Sequence, residues 1–303
     1  MIDSNDLQQW ITSNWSVEMT LAEWWDRLAD AGLAFPTWPS GLGGRGASSR
    51  DAMAVSSALS AAMVVGPPTG NGPNMGAPTL LAHATPEQQQ RFLAPLARGR
   101  EVWAQLFSEP GAGSDLASLA TSAVLDGEEY VINGQKVWNS FADVSKWGML
   151  LARTDLDVPK HRGITFMMID MEQPGVEVRP LVQMNGVAEF CEVFFSDARV
   201  SVSDVIGAPG DGWNVARTTL AFERAGAGSG RASGLVTIGA GAKAGNLDPR
   251  WTSSSLRPTS SASGSPIAGS AIRRTSTCRA SRRRCGRSAT ISCCTPSIRR
   301  RPR

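Results

Sequence analysis

Cysteine is scarce in this chain of 303 residues, which contains five in all. Cys191 is the only cysteine before residue 249, and the others fall near the C-terminus in spacings that match no usual zinc motif. No histidine lies near them to complete such a motif. The sequence therefore predicts no metal site. The four C-terminal cysteines are Cys278, Cys285, Cys293 and Cys294.

Long hydrophobic runs are also missing. No stretch approaches the ~18 apolar residues that a membrane-spanning helix requires. The N-terminal residues MIDSNDLQQW lack the basic stretch and apolar stretch that together mark a secretory signal. We therefore expect no membrane span and a cytoplasmic location.

Acidic residues and lysine are absent after Asp248. Residues 1–248 hold 17 basic and 27 acidic side chains, a net charge of −10, whereas residues 249–303 carry 13 arginines and a net charge of +13. Without hydrophobic periodicity, residues 248–303 cannot form a packed core, so we expect a disordered basic tail. Such a tail is either an arm that binds nucleic acid or acidic lipid, or the translation product of a GC-rich gene read in a shifted frame. The lack of lysine, and of any aromatic residue after Trp251, favours the second interpretation and no nucleic-acid partner.

Residues 1–101 predict an N-terminal helical domain. Residues 51–65 are apolar on most faces and predict a buried helix, followed by a Gly/Pro-rich loop at 67–78. Thr85 and Pro86 are typical of the N-cap and first position of another helix. An earlier helix is indicated by large apolar residues at helical spacing. These are Leu21, Trp24, Trp25 and Leu28.

Residues 102–210 predict a small antiparallel β barrel or sandwich, because short apolar segments alternate with turn residues. A hairpin turn is predicted at Asp126-Gly127 and another turn at Asn133-Gly134. Helical spacing returns at Gly212, so residues 211–247 predict the start of a C-terminal helical domain. The expected fold class is α+β. The predicted strand segments are 120–133, which contains the hairpin turn, and 136–139, 148–152, 163–170, 176–180 and 190–195.

The segment SEPGAGSD at residues 108–115 has the character of a binding loop. Pro110 restricts the backbone, and Gly111 and Gly113 allow a ligand to approach the main chain closely. Hydroxyls and backbone amides in such a loop suit a phosphate or an electron-rich ring. An ordinary connection between a strand and a turn is the alternative interpretation.

The order of helices, β domain and helix, with SEPGAGSD at the first junction, resembles the acyl-CoA dehydrogenase family. The resemblance extends over about residues 15–245, and several further motifs occur in the family's order. They are WP…GG at 38–44, TPEQ…FL at 85–93, NGQKVWNS at 133–140, EVFF at 192–195 and FER at 222–224.

The resemblance implies an FAD-dependent enzyme of fatty-acid or related lipid catabolism. In this family a carboxylate removes the α proton of an acyl-CoA thioester while FAD accepts the β hydride. A 2-enoyl-CoA is released, and the electrons pass to an electron-transfer flavoprotein. The physical requirements are a positioned base, stabilisation of the enolate and exclusion of water.

The resemblance also assigns flavin contacts. Gln105, Phe107 and Ser108 would lie along the ring, and Ser114 would contact a flavin phosphate or the CoA chain. In the NGQKVWNS motif, Trp138 would pack on the isoalloxazine. The alternative for Trp138 is an ordinary core residue.

The strand that carries Trp138 would supply one more flavin contact, because Ser140 would donate a hydrogen bond toward N5. Lys160 and His161 are either a CoA contact or solvated loop residues.

Glu223 is the candidate catalytic base, with Phe222 and Arg224 as substrate contacts. Most of the family places its base in the last helical domain, and no matching motif occurs here. A minority places it in an ER pair on an earlier helix, which Glu223-Arg224 matches. The alternative is a glutamate on the helix surface that pairs with a neighbour.

The resemblance further implies a homo- or hetero-oligomer with a family paralogue. The family's C-terminal four-helix domain closes the acyl pocket and completes the FAD site, and nothing after Asp248 resembles it. The expected function is therefore an acyl-CoA dehydrogenase whose missing half comes from a partner. The alternative is an inactive remnant or a non-catalytic subunit of a heteromeric enzyme.

Overall fold

The computed structural model describes residues 3–184 and 186–228. The predicted basic tail, and the predicted helical segment beyond residue 228, lie outside these described residues. The described residues contain six α-helices, α1 (Ser4–Asn14), α2 (Leu21–Asp30), α3 (Ser49–Ala61), α4 (Ala77–His83), α5 (Pro86–Ala97) and α6 (Gly212–Gly228). The same part of the chain contains eight strands, β1 (Trp103–Leu106), β2 (Ser122–Asp126), β3 (Glu129–Ser140), β4 (Trp147–Arg153), β5 (Ile164–Asp170), β6 (Val176–Leu181), β7 (Phe190–Ser201) and β8 (Val205–Ile206).

Helix α2 is the central element of the N-terminal helices. It begins at a capping box in which Thr20 and Glu23 satisfy each other's backbone N–H groups. Trp24 and Trp25 are fully buried, and their indole N–H groups donate to the carbonyls of Val65 and Gly66 at 2.7 and 2.8 Å. The helix is therefore anchored to the segment that follows α3.

Two predictions for the helical region are wrong. Helix α3 buries only Val55 and Leu59, and Met53 is 64% exposed, so this helix lies at the surface. Its alanines satisfy an apolar pattern but have small side chains, which give the helix little apolar surface to bury. The predicted loop at 67–78 contains a π-helical turn at Gly72–Gly76 that continues directly into α4.

The β region forms one eight-stranded sheet, and the predicted α+β fold is confirmed. Seven of the strands follow the order β6-β7-β3-β2-β4-β5-β8, and β1 pairs with β4. The sheet is antiparallel except for β1 with β4 and one contact of β2 with β4. The predicted hairpin at Asp126-Gly127 is present, because Asp126 pairs with Glu129.

The predicted turn at Asn133-Gly134 is absent. Strand β3 passes through both residues, with a shift in its register with β7 between Ile132 and Gly134. Gly134 has a φ of 150°, and a Cβ there would lie 2.6 Å from Oγ1 of Thr121. Glycine is thus required by close packing at an irregularity within a strand.

Strand β4 contributes side chains to two hydrophobic clusters. Met149 and Leu151 pack into the cluster that contains the N-terminal helices, whereas Leu150 and Ala152 pack into a second cluster between the strands. This alternation is the ordinary two-residue period of a strand. Both faces of β4 are therefore buried, and the helices and the sheet share a core.

No helix among residues 3–184 and 186–228 combines the length and hydropathy needed to cross a bilayer. The cytoplasmic location remains a prediction from the sequence.

Replacing Leu151 by alanine should lower the free energy of unfolding by about 2–5 kcal/mol, because it leaves a cavity at a fully buried position. Denaturant unfolding followed by tryptophan fluorescence measures the change. Leu125→Ala is the matched control, since Leu125 is 56% exposed and should change stability by less than about 0.5 kcal/mol. Equal losses for the two variants would contradict this description of the core.

Candidate active site

A cleft of about 440 Å³ lies where β1, β3 and α6 meet. Its volume is within the range of about 300–1,000 Å³ that is typical of small-molecule sites. The lining combines aromatic side chains with hydroxyl, amide and carboxylate groups. The lining residues are Gln105, Phe107, Ser108, Gly113, Ser114, Leu116, Val137, Trp138, Asn139, Trp213, Leu220 and Glu223.

Most of the residues proposed from the sequence meet in this cleft. Those that line it are Gln105, Phe107, Ser108, Ser114, Trp138 and Glu223. Ser140 lies on β3 opposite Phe190 and does not line it. Phe222 and Arg224 are exposed on α6, also outside the lining.

The loop at 108–115 is organised by the carboxylate of Glu109. Glu109 and Ala112 exchange backbone hydrogen bonds at 3.0 and 3.1 Å, which closes the turn. The Glu109 carboxylate accepts from the backbone N–H groups of Ala120 and Thr121 at 2.6 and 2.9 Å. A single buried side chain thus connects the loop to the start of β2.

Lys136 is the partner of Glu109 and is completely buried in β3. Its ammonium donates to Oε1 of Glu109 at 2.8 Å and to the carbonyl of Phe107 at 3.1 Å. Burial lowers the pKa of Lys136 to about 8, and the Glu109 carboxylate opposes that shift. Burial raises the pKa of Glu109, but Lys136, Thr121 and the Ala120 N–H together hold it below its ordinary value.

Trp138 projects from a bulge in β3. The register with β7 shifts between Lys136 and Asn139, and Trp138 itself has a φ of 64°, which is unfavourable for a bulky residue. The side chain is 63% exposed and contacts the edge of Phe190, with ring centroids 6.1 Å apart. Trp138 is therefore not a core residue, and its indole is available at the cleft.

A neighbouring loop supports the far end of the binding loop. Lys160 forms an ion pair with Asp115 at 2.7 Å and donates to Ser118 at 3.2 Å. The ring of His161 packs edge-on against Trp213 of the cleft, with centroids 4.8 Å apart. His161 therefore contacts a side chain that lines the cleft, whereas Lys160 contacts the end of the binding loop and the turn that follows it.

Arg153, on β4, connects the turn that follows the binding loop to the loop at 154–163. It is 9% exposed and donates to the carbonyls of Ala117, Leu119 and Lys160. The turn that follows the binding loop and the loop at 154–163 are thereby held to the same strand.

Helix α6 brings Glu223 to the cleft. Thr219 Oγ1 lies 3.0 Å from Thr79 Oγ1, and Thr218 Oγ1 lies 2.8 Å from Nε2 of His83, so α6 is fixed against α4. The Glu223 carboxylate is exposed and accepts a hydrogen bond from Nε2 of Gln105 at 3.0 Å.

Sequence reasoning did not single out Glu109, Lys136, Asn139 or Arg153. One signal could have found Lys136, since a lysine at an inward position of a strand requires a buried partner. Glu109 is the acidic residue of the neighbouring loop motif. Nothing local in the sequence indicates the contacts of Asn139 and Arg153, which are with backbone carbonyls of other segments.

Lys136→Met should destabilise the protein by about 3–5 kcal/mol, because it leaves the buried Glu109 carboxylate without its cation. Equilibrium denaturation measures the loss. Lys160→Met is the matched control: its ion pair is exposed and should contribute less than about 1 kcal/mol. Comparable losses for the two variants would contradict the role given to the buried pair.

The free energy of unfolding should also depend on pH through the carboxyl group of Glu109. Since its folded pKa lies below the ordinary value of 4.5, its stabilisation is present above about pH 4.5 and is lost as the pH falls through the folded pKa. Glu109→Gln should therefore show a shallower decrease in unfolding free energy below pH 4.5 than the wild type. Glu128→Gln, at the exposed β2–β3 turn, should retain the wild-type decrease, and a wild-type decrease in Glu109→Gln would refute the assignment.

Comparison with known proteins agrees with this architecture. The family description "Acyl-CoA dehydrogenase, N-terminal domain" matches residues 6–100, and "Acyl-CoA dehydrogenase, middle domain" matches residues 104–198. The acyl-CoA dehydrogenase IpdE1 of Mycobacterium tuberculosis is 50% identical over 201 residues, covering 66% of this chain and 52% of that protein. The chain thus spans about half the length of this curated relative.

Solved structures show the same similarity. A steroid ACAD, the Tcur3481-Tcur3483 G363A variant, is matched with a TM-score of 0.58 and 30% identity over 75% of this chain and 58% of that one. The ChsE4-ChsE5 complex from Mycobacterium tuberculosis is matched with a TM-score of 0.55 and 30% identity over 72% and 59%. The fold and the two matched domains show that the chain belongs to the acyl-CoA dehydrogenase family.

Proposed function

We propose that the protein is an FAD-dependent acyl-CoA dehydrogenase that introduces a double bond between the α and β carbons of an acyl-CoA thioester. One observation carries the proposal: three distant segments meet at one cleft. They are the binding loop at 108–115, the bulge at Trp138 and the carboxylate of Glu223 on α6. A base, a planar apolar surface and hydrogen-bond donors are the groups that this reaction needs in one place.

The residues present fit a flavin. Trp138 is 63% exposed, and its backbone is held at an unfavourable φ. Its indole offers a flat apolar surface that a ring can cover. We propose that Trp138 and Phe107 contact the ring, that Ser108 and the backbone from Gln105 bind along it, and that Ser114 binds a phosphate or the CoA chain. Bound FAD supplies the acceptor for the β hydride. Ser140 remains in the proposal as a donor toward the ring, although it lies outside the cleft lining.

Glu223 is proposed as the base that removes the α proton. Its carboxylate lies in the cleft beside the apolar side chains of Leu220 and Trp213, which can contact an acyl chain. Phe222 and Arg224 are proposed to contact substrate from the exposed surface of the same helix. The adjacent apolar surface is suited to exclude water once substrate and a covering surface are in place.

A partner chain is part of the proposal. One structural match is the heteromeric ChsE4-ChsE5 complex, and this chain spans about half of its IpdE1 relative. We propose a homo- or hetero-oligomer with a paralogue that covers the cleft, and an electron-transfer flavoprotein as electron acceptor. The partial coverage also supports a second candidate, a non-catalytic subunit of a heteromeric acyl-CoA dehydrogenase.

Flavin spectroscopy distinguishes the two functions. The enzyme should retain or regain FAD on reconstitution, and its flavin absorbance should bleach with at least one thioester from a panel of short-chain, long-chain and steroid-derived acyl-CoAs. Removal of the base by Glu223→Gln should slow bleaching by about 10²–10⁴-fold. Glu128→Gln is the matched control and should bleach at the wild-type rate.

Two results would contradict the proposal. A protein that gains no flavin, alone or with a paralogue, would favour the non-catalytic subunit. Unchanged bleaching in Glu223→Gln would exclude Glu223 as the base.

A further inference from the structure

Gln105 makes two contacts that link the proposed base to the sheet. Its side-chain Nε2 donates to Oε2 of Glu223 at 3.0 Å, across 118 residues of sequence. Among the residues that the structure describes, no other hydrogen bond or ion pair to the Glu223 carboxylate is found. Because Glu223 is exposed, this single bond is what distinguishes a directed carboxylate from one that rotates freely in solvent.

The backbone of Gln105 is itself held by Asn139. Nδ2 of Asn139 donates to the carbonyl of Gln105 at 2.7 Å, and Asn139 is 1% exposed. The other polar atom of the amide, Oδ1, is buried and has no hydrogen-bond partner among the described residues. Since an unpaired buried oxygen is costly, an apolar side chain would be more favourable here unless the bond to Gln105 matters.

Both ends of the bond between Gln105 and Glu223 are fixed in position. Gln105 belongs to β1, where it is paired with Met149 of the fully buried strand β4. Glu223 belongs to α6, which Thr218 and Thr219 fix against α4. Because both backbones are already fixed, the bond costs only the rotamer freedom of the two side chains.

We infer that Gln105 is a positioning residue for Glu223, with Asn139 fixing its backbone. This inference rests on the proposed function. The amide occupies Oε2 of Glu223 and leaves Oε1 to take the substrate proton, so the carboxylate is presented in one orientation. This task belongs to the side chain of Gln105 and is separate from the flavin contact expected of its backbone.

The bond is first tested without flavin or substrate. In ¹H–¹⁵N spectra of the protein as it is, the side-chain amide signals of Gln105 are identified by their loss in Gln105→Met. They should shift in Glu223→Ala and stay in place in Glu128→Ala. Unshifted signals in Glu223→Ala would overturn the inference while leaving the proposed function intact.

The catalytic consequence is tested in the reconstituted enzyme with the acyl-CoA that bleaches it. Gln105→Met keeps the length of the side chain but removes the donor. It should lower the maximal rate of flavin reduction by about 10–100-fold, the range for a hydrogen bond to a charged group, with FAD retention and the KM for acyl-CoA unchanged. Gln90→Met, on the exposed surface of α5, is the matched control and should leave the rate unchanged.

A second variant keeps the test valid if Gln105→Met folds poorly. Asn139→Leu should reproduce the loss of rate while the unfolding midpoint stays close to that of the wild type. A wild-type maximal rate in Gln105→Met, or a loss of FAD in place of a loss of rate, would overturn the positioning role. If the wild-type protein binds FAD but none of the thioesters in the panel reduces it, the proposed function is overturned instead.

Discussion

The ion pair between Lys136 and Glu109 is the interaction on which the site depends. Two opposite charges are buried at the junction of β3 and the binding loop, where desolvation is costly. The cost is offset because the carboxylate also accepts two backbone N–H groups and the ammonium also donates to the carbonyl of Phe107. These bonds fix a loop of small residues, which has too little apolar surface to be held by packing.

The geometry of the cleft follows from that fixed point. Lys136 points inward, and the strand then departs from its register, so Trp138 is directed outward at a positive φ and Asn139 inward. A regular strand would place residues 136 and 138 on the same face. The bulge therefore places the buried Lys136 and Trp138, which is proposed to contact the flavin, on different sides of the strand although they are two positions apart.

The sequence predicted the parts of this protein whose signals are local or fixed in order. Helix caps, the hairpin at Asp126-Gly127 and the series of family motifs led to the correct fold class and family. It could not show that Gly134 serves close packing to Thr121, because a turn and a bulge use the same residue types. It also could not pair Gln105 with Glu223, since such contacts depend on how α6 docks on the sheet.

The residues proposed to carry the chemistry differ in burial from the ion pair that supports the binding loop. Lys136 and Glu109, which hold the start of the loop, are buried, whereas the groups proposed to react or bind, Glu223 and Trp138, are exposed. Proton abstraction by a carboxylate is favoured when water is excluded, so an exposed base needs a covering surface. Since this chain spans about half of its IpdE1 relative, that surface is to be sought in residues beyond those described or in a partner.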